Sequence, residues 1–280
     1  MKITISNNKN LEQLKSKIKQ TGYQNLHILS DFDGTLTCGV TNGVKAPAII
    51  SLLRDGNYLT KDYAEKAHAL FNKYHPIETD VKVPVAKKKK AMQKWWELHY
   101  KLLIKSGLTK SDLKHIVESG HIKFRDGVPE FLDFLYKKNI PLVVFSAGGC
   151  GEAIKLFFKK IKKNYPNVFF VINRFNWNKQ GRAISIKPPI IHSMNKDKTI
   201  IKKIPNIYSS IKNRKNVILI GDSIGDIKII EGFNCANLLK IGFLNFNYNE
   251  SIKEYTNNFD VVLDEEANFD FINSLIQELK

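Results

Sequence analysis

Cysteine is scarce: Cys38, Cys150 and Cys235 lie far apart, with no CxxC pair among them. That argues against a disulfide framework and against the usual zinc spacings, and it fits a reducing compartment, read here as the cytoplasm. Long apolar runs are missing too. The longest nearly apolar stretch, Ile140 to Cys150, falls well short of the ~20 residues that cross a bilayer. The start, Met1 to Gln20, is polar and Lys-rich and lacks the apolar centre of a signal peptide. The expectation is therefore no export and no membrane partner. Arginine is rare in an otherwise basic chain. Of 44 basic residues against 27 acidic, a net charge of +17, only Arg54, Arg125, Arg174, Arg182 and Arg214 are Arg. A Lys, Asn and Ile bias is what AT-rich codons produce without selection for charge. Base-reading proteins favour the bidentate Arg fork, so this balance disfavours nucleic-acid binding as the main role. A positive field does attract small anions.

What is there is a chain of 280 residues, 43% apolar and 25% charged. These are ordinary globular values, and the length suits one large domain or two smaller ones that need no disulfide to fold. Leu11, Leu14 and Ile18 mark a short amphipathic helix over Leu11 to Lys19. Leu26 to Ser30 is a short apolar run stopped by Asp31-Phe32-Asp33-Gly34, which reads as a buried parallel strand opening into a loop. Residues 39–124 carry helical spacing over Asp62 to Tyr74, Ala91 to Ser106 and Ser111 to Ser119, with few strand signals. They read as a helical insertion after the first strand, interrupting a core of residues 1–38 and 125–280. The basic run Lys87 to Lys90 reads as a solvated helix face or loop.

Beyond Asp126 strands alternate with helices. Pro141 to Phe145, Val168 to Ile172, Ala183 to Ile186, Asn216 to Ile220, Lys240 to Phe243 and Val261 to Leu263 read as strands. Glu130 to Lys138, Glu152 to Lys163 and Asp226 to Glu231 read as helices. This order predicts an α/β fold, a doubly wound parallel sheet of Rossmann-like type, with an inserted helical cap. Ligands in such sheets bind at the carboxyl ends of the strands. Three strands end there in polar loops: Asp31-Phe32-Asp33-Gly34-Thr35, Ser146-Ala147-Gly148 and Gly221-Asp222-Ser223-Ile224-Gly225-Asp226.

Each loop has a functional and a plain reading. Asp31 and Asp33, two apart in a glycine turn, suit a hard cation such as Mg²⁺ or a carboxylate nucleophile on phosphorus; the same turn can simply cap a strand. Ser146 and its small neighbours let backbone N–H groups approach an anion, or merely join strand to helix. Asp222 and Asp226 can face one edge of the sheet, or cap a helix. Lys196 is one of 39 lysines, and statistics alone would leave it on the surface.

In order and in context, Asp-x-Asp-Gly-Thr, Ser-Ala-Gly, a Lys and Gly-Asp-Ser-x-Gly-Asp resemble the four motifs of the haloacid-dehalogenase-like phosphohydrolase superfamily. Ile77-Glu78 after a Lys- and Tyr-rich helix, the Trp-bearing helix that follows, Ile191-His192-Ser193-Met194-Asn195-Lys196 and Leu239-Lys240-Ile241-Gly242-Phe243-Leu244-Asn245 extend the resemblance. Together, from about Leu26 to the end, they are similar to the cytosolic pyrimidine 5′-nucleotidases.

That resemblance implies a Mg²⁺-dependent hydrolase of nucleoside 5′-monophosphates. Asp31 would be the nucleophile and Asp33 the general acid/base. Ser146 and Ala147 would hold phosphate and Lys196 would neutralise it. Asp31, the Asp33 carbonyl and Asp222 would hold the metal, supported by Asp226. Glu78 would contact the nucleobase. His99, where relatives carry a Ser, would line the base pocket; its plain reading is a helix-surface histidine. Gly34 stands where close relatives often carry a bulkier residue. The expected assembly is a monomer or weak dimer. Two other readings compete: a small-molecule phosphatase like phosphoserine phosphatase, and a basic nucleic-acid-binding protein on a dead phosphatase fold. Cap length and Glu78 count against the first, and the presence of every catalytic residue type against the second.

Overall fold

The computed structural model describes residues 2–41 and 43–280. The chain begins with strand β1 (Ile3–Ile5), helix α1 (Asn8–Thr21) and strand β2 (Leu26–Ser30). A small hairpin follows, β3 (Val40–Thr41) and β4 (Val44–Lys45). Four helices come next: α2 (Ile49–Asp55), α3 (Tyr63–Thr79), α4 (Val85–Lys105) and α5 (Lys110–Glu118). The chain then runs through α6 (Val128–Lys137), β5 (Leu142–Phe145), α7 (Gly151–Lys160), β6 (Val168–Val171), β7 (Phe175–Trp177) and β8 (Ala183–Ile186). It continues as α8 (Lys198–Lys202), α9 (Pro205–Ile211), β9 (Asn216–Gly221), a 3₁₀ helix (Ile224–Ile230) and β10 (Asn237–Leu244). It ends with α10 (Tyr248–Asn258), β11 (Val261–Asp264) and α11 (Asp270–Glu278).

Seven strands form one sheet in the order β1-β11-β10-β9-β2-β5-β6. All neighbours are parallel except β1, which closes one edge antiparallel to β11. Every residue of β2, β5 and β9 is buried, as expected of strands covered on both faces. Alternate residues serve opposite faces. Ile218 and Ile220 join the cluster that includes α1, α6 and α11, whereas Val217 and Leu219 join Ile200, Ile201, Ile207 and Ile211 of α8 and α9. From β2 the chain builds outward through β5 and β6, then jumps back to β9 on the other side of β2. The switch point therefore lies between β2 and β9, where such sheets open a crevice for ligand.

The inserted segment leaves and re-enters on neighbouring strands of backbone. Cys38 N–H donates to the Lys123 carbonyl (3.0 Å), and Arg125 N–H to that of Leu36 (2.9 Å). Its helices are not packed apart from the sheet: Leu53, Tyr63, Tyr100 and Leu108 share one apolar cluster with Phe157, Phe158 and Phe175. The insertion follows β2, the first parallel strand, and not the first strand of the chain, because β1 precedes it. Three half-buried residues at an antiparallel edge give too short a pattern to read. Helix α4 starts six residues earlier than its apolar spacing predicts, since Lys87 to Lys90 are good helix formers, with all but the half-buried Lys88 exposed. Helix α3 runs through Pro76, so Glu78 sits in its last turn and not beyond it. Between the strands expected at Val168 to Ile172 and Ala183 to Ile186 lies β7, not anticipated from the sequence, which pairs with β8.

His27 lies on β2, 1% exposed and packed beside Phe233. Burial lowers its pKa from 6.5 to about 3, despite an upward pull from the Arg214 backbone. The unfolded chain therefore binds a proton below pH 6.5 that the folded chain refuses, and stability contributed by the neutral ring is lost as pH falls. The slope from this one group reaches about 1.4 kcal/mol per pH unit. Replacing it with His27→Leu should flatten the acid limb of stability; urea unfolding of both proteins at pH 7 and pH 5 checks this, and equal losses on acidification would refute it.

Candidate active site

The site grows from the end of β2. Phe32 turns down into the core, 0% exposed against the rings of Phe124, Phe157 and Phe158. Period-two alternation then sends Asp31 and Asp33 the other way. The turn closes on itself: Thr35 N–H and Thr37 N–H donate to the Phe32 carbonyl (3.3 and 3.1 Å), and Gly34 N–H to Thr37 Oγ1 (3.0 Å). Gly34 has φ +73°, and a Cβ there would lie 2.5 Å from Asp222 Oδ2. Both conformation and space therefore favour glycine here.

Lys196 is the centre of charge. Its Nζ, almost fully buried, donates to Asp31 Oδ1 at 2.5 Å and to Asp226 Oδ1 at 2.6 Å. Burial alone would lower its pKa, but the Asp226 and Asp31 carboxylates outweigh that and hold it protonated. Asp226 is fully engaged, because its Oδ2 also accepts from the N–H groups of Asp222 and Ser223 (3.3 and 3.1 Å). Burial raises Asp31 well above the usual carboxylate range, with Lys196 opposing and Asp226 and Asp222 adding to it. Burial together with Asp226 raises Asp222 to about 7. Asp33 rises to about 6, again through burial, against the pull of Lys196 and the Ile49 backbone N–H.

A second hydrogen-bonded frame holds the loops from behind. Arg125, 3% exposed, donates to the carbonyls of Gly34 (2.9 Å), Thr35 (3.2 Å), Ala267 (2.8 Å) and Glu265 (3.3 Å), and to Asn245 Oδ1 (2.5 Å). Asn245 Nδ2 in turn donates to the Gly34 carbonyl (3.0 Å) and to Asp222 Oδ2 (3.2 Å). The Phe243 ring lies under the guanidinium at 4.0 Å. Burial lowers the pKa of Arg125 to about 10, so it stays charged near neutrality. Sequence reasoning quoted Asn245 within a motif but gave neither residue a role. The one available signal was the rarity of Arg.

The loop after β5 completes the polar floor. Ser146 Oγ accepts from Gly148 N–H (3.0 Å), and a Cβ on Gly148 would lie 3.3 Å from Asp33 Oδ2, so this loop abuts the first. Ala147 follows directly, half-buried at the edge. Asn173 Nδ2 ties the Gly148 carbonyl (3.3 Å) to that of Ile191 (2.9 Å) at the start of the Lys196 turn.

A cleft of about 580 Å³ opens above, within the range of small-molecule sites. Asp33, Gly34, Asp222 and Asn245 line it from the sheet, and Phe71, His75, Glu78, Trp95, Trp96 and His99 from the inserted helices. Phe71 stacks on His75 at 4.5 Å between ring centroids and meets Trp95 edge-on at 6.0 Å. Glu78 is half-buried, its Oε1 accepting the Ser193 hydroxyl. His99 is buried, not on the helix surface, with Nε2 3.1 Å from the Tyr63 hydroxyl. Burial and the Arg54 charge lower its pKa to about 4, leaving the ring neutral. The structure thus brings Asp31, Asp33, Ser146, Ala147, Lys196, Asp222 and Asp226 to one sheet edge and puts Glu78 and His99 across the cleft. Phe71, His75 and Trp96 were not singled out, because aromatics at helical spacing read first as core.

The donor set fits a hard divalent cation. One carboxylate oxygen from each of Asp31, Asp222 and Asp226 lies within 4.8 Å of the others. With Asp226 committed to Lys196 and two N–H groups, Asp31 and Asp222 are the acids with free oxygen, and one ammonium offsets only one of the three charges. All-oxygen ligands with excess negative charge suit Mg²⁺.

Sheet order, loop placement and the carboxylate–lysine set define a haloacid-dehalogenase-like phosphohydrolase. Phosphoserine phosphatase with bound substrate shares the fold, with TM-score 0.53 and 17% identity over 91% of this chain and 98% of that one. The pyrimidine 5′-nucleotidase (UMPH-1) family matches residues 34–280, and the chain belongs to it. It is a 5′-nucleotidase, a phosphoric monoester hydrolase. The 7-methylguanosine phosphate-specific 5′-nucleotidase of Rattus norvegicus is 31% identical over 270 residues, covering 96% of this chain and 89% of that protein. Its counterpart from Gallus gallus is 31% identical over 261 residues, covering 93% and 90%. Cytosolic 5′-nucleotidase IIIB bound to cytidine superposes with TM-score 0.89 at 27% identity, covering 99% of this chain and 93% of that one.

The substitution Arg125→Lys keeps the charge but loses the fork that spans two loops. The stranded carbonyls should cost at least about 2 kcal/mol of stability, and phosphatase turnover should fall as the Gly34 loop loosens. Urea unfolding and turnover rates measure both; a variant as stable and as active as wild type would disprove the role.

Proposed function

We propose that the protein hydrolyses nucleoside 5′-monophosphates, pyrimidine nucleotides among them, to nucleoside and phosphate through an aspartyl-phosphate on Asp31. A carboxylate oxygen of Asp31 attacks phosphorus as the bond to the 5′-oxygen breaks. Asp33 gives that oxygen its proton, then takes one from the water that cleaves the acyl-phosphate. A pKa near 6 for Asp33 suits both tasks close to neutral pH. Lys196, the Ser146 hydroxyl and backbone N–H groups around Ala147 hold the phosphate oxygens. Mg²⁺ held by Asp31, Asp222 and the Asp33 carbonyl would supply positive charge against the transferring phosphoryl group. Asp226 keeps Lys196 and the Asp222 loop in place. The inserted helices act as a cap that shields the reaction from water and recognises the nucleoside. We read the enzyme as cytoplasmic, a monomer or weak dimer, working on a small soluble substrate without a membrane or nucleic-acid partner.

The observation that supports this reading most is one cleft bounded on one side by the Asp33 and Asp222 loops and on the other by aromatic rings with a carboxylate. A generic phosphatase has no use for the second wall. Aromatic faces beside Glu78 also suit a base that bears a positive charge. That favours a second substrate, a methylated purine nucleotide, as the names of the Rattus norvegicus and Gallus gallus relatives suggest. Phosphate release from CMP, UMP, GMP, 7-methyl-GMP and phosphoserine, with Mg²⁺ and with chelator, decides among these. Phosphoserine turned over as well as the nucleotides would overturn the nucleotidase reading.

Two substitutions divide the roles. With Asp31→Asn the shape is kept and the nucleophile is lost, so Mg²⁺-dependent phosphate release should vanish while the fold persists by circular dichroism. More than a trace of turnover would rule Asp31 out. Glu78→Ala should lower kcat/KM for the nucleotides far more than for p-nitrophenyl phosphate, since a desolvated acceptor discriminates by the donor it meets. Equal losses on both would mean Glu78 serves structure or chemistry, and no loss on either would leave it without a role.

A further inference from the structure

The turn that delivers Lys196 is closed upon itself. Asn195 Nδ2 donates to the Ile190 carbonyl (2.9 Å), and Asn195 Oδ1 accepts from His192 N–H (2.8 Å). Asn173 clamps Ile191 from both sides, accepting its N–H at 2.8 Å and donating to its carbonyl at 2.9 Å. With these groups satisfied, the turn is a fixed piece tied to the Ser146 loop through the Gly148 carbonyl. One end of it reaches the phosphate side, where Lys196 meets Asp31. Three residues earlier it reaches the inserted helices. Ser193 donates its hydroxyl to Glu78 Oε1, and Met194 packs with Tyr74, Met92 and Trp95. Lys88 holds the Glu78 carbonyl at 2.8 Å from the other side.

We propose that Ser193 is a positioning residue that ties the nucleobase acceptor Glu78 to the rigid turn bearing Lys196, fixing the separation of the base and phosphate subsites. The inference rests on the reading of Glu78 given above. A glutamate on a helix end has several rotamers, and ordering it on binding costs affinity. Ser193 takes one carboxylate oxygen and leaves the other to accept an N–H from the base. The acceptor is thereby aimed before substrate arrives, and its frame of reference is the turn that places Lys196, not the inserted helices alone. Neither the insertion nor the sheet sets this distance by itself.

The test is a kinetic cycle on the intact protein, using the nucleoside monophosphate turned over best and p-nitrophenyl phosphate. Ser193→Ala should lower kcat/KM for the nucleotide about tenfold, chiefly through KM, and change that for the generic ester less than twofold. Ser193→Thr, which keeps the hydroxyl, should recover most of the loss. On a Glu78→Ala background Ser193→Ala should add nothing, because the bond it removes is already gone. Multiplying losses in the double variant, an equal loss on the generic ester, failure of Thr to restore, or wild-type kinetics in Ser193→Ala would each overturn the proposal. If Glu78→Ala itself spares the nucleotide, the reading beneath it fails instead, and the two failures are told apart by that single variant.

Discussion

The ammonium of Lys196, buried between Asp31 and Asp226, is the constraint on which the site depends. Four carboxylates crowd the end of this sheet, and burial pushes three of them toward the neutral form. A buried unpaired acid is costly, and a buried lysine without a partner equally so. Pairing makes each tolerable to the other. It also leaves Asp31 and Asp222 with oxygens not taken up by Lys196, a donor set that fits a divalent cation. Removing either kind of charge would leave the rest electrostatically unsupported.

Around that charge the backbone is held by hydrogen bonds that do no chemistry. Arg125 gathers carbonyls from the Gly34 turn and from the segment after β11. Asn245 joins the same turn to Asp222. Loop carbonyls near a ligand cleft would otherwise face a dry interior without donors. A guanidinium meets several at once, and its planar fork fixes their spacing. The acidic side chains of the site are thus set on loops whose Gly34 and Thr35 carbonyls already have donors, which fixes the loop backbone.

The second wall of the cleft comes from a different part of the chain. Aromatic residues on α3 and α4 face the sheet edge, and the close approach of Trp96 to the Ser146 loop is possible because Gly149 has no side chain; a Cβ there would lie 2.6 Å from the indole. The inserted helices share their apolar packing with α7 and the β7–β8 hairpin. One packed body therefore presents two kinds of surface to one cleft, acidic loops on one side and aromatic rings on the other.

Much of this was legible in the sequence. Buried parallel strands announce themselves as short apolar runs, so β2, β5 and β9 and the polar loops at their ends could be read directly. The acidic motifs are each local to a strand end, and their resemblance, taken in order, to those of a known superfamily pointed to the chemical class. Elements without a local signature were not legible: β1 is three residues at an edge, β7 is hidden among turn formers, and α8 and α9, five and seven residues long, draw their stability from tertiary contact more than from pattern. The same holds for the site. By composition Lys196 is indistinguishable from the other lysines, and only its resemblance to a motif singled it out. Its meeting with Asp31 spans 165 residues, that of Arg125 with Asn245 spans 120, and that of Ser193 with Glu78 spans 115. Local periodicity encodes which residues are buried and where the chain turns. Which charges meet across the fold depends on where separate strands end in the same sheet, and that was decided only by the tertiary structure.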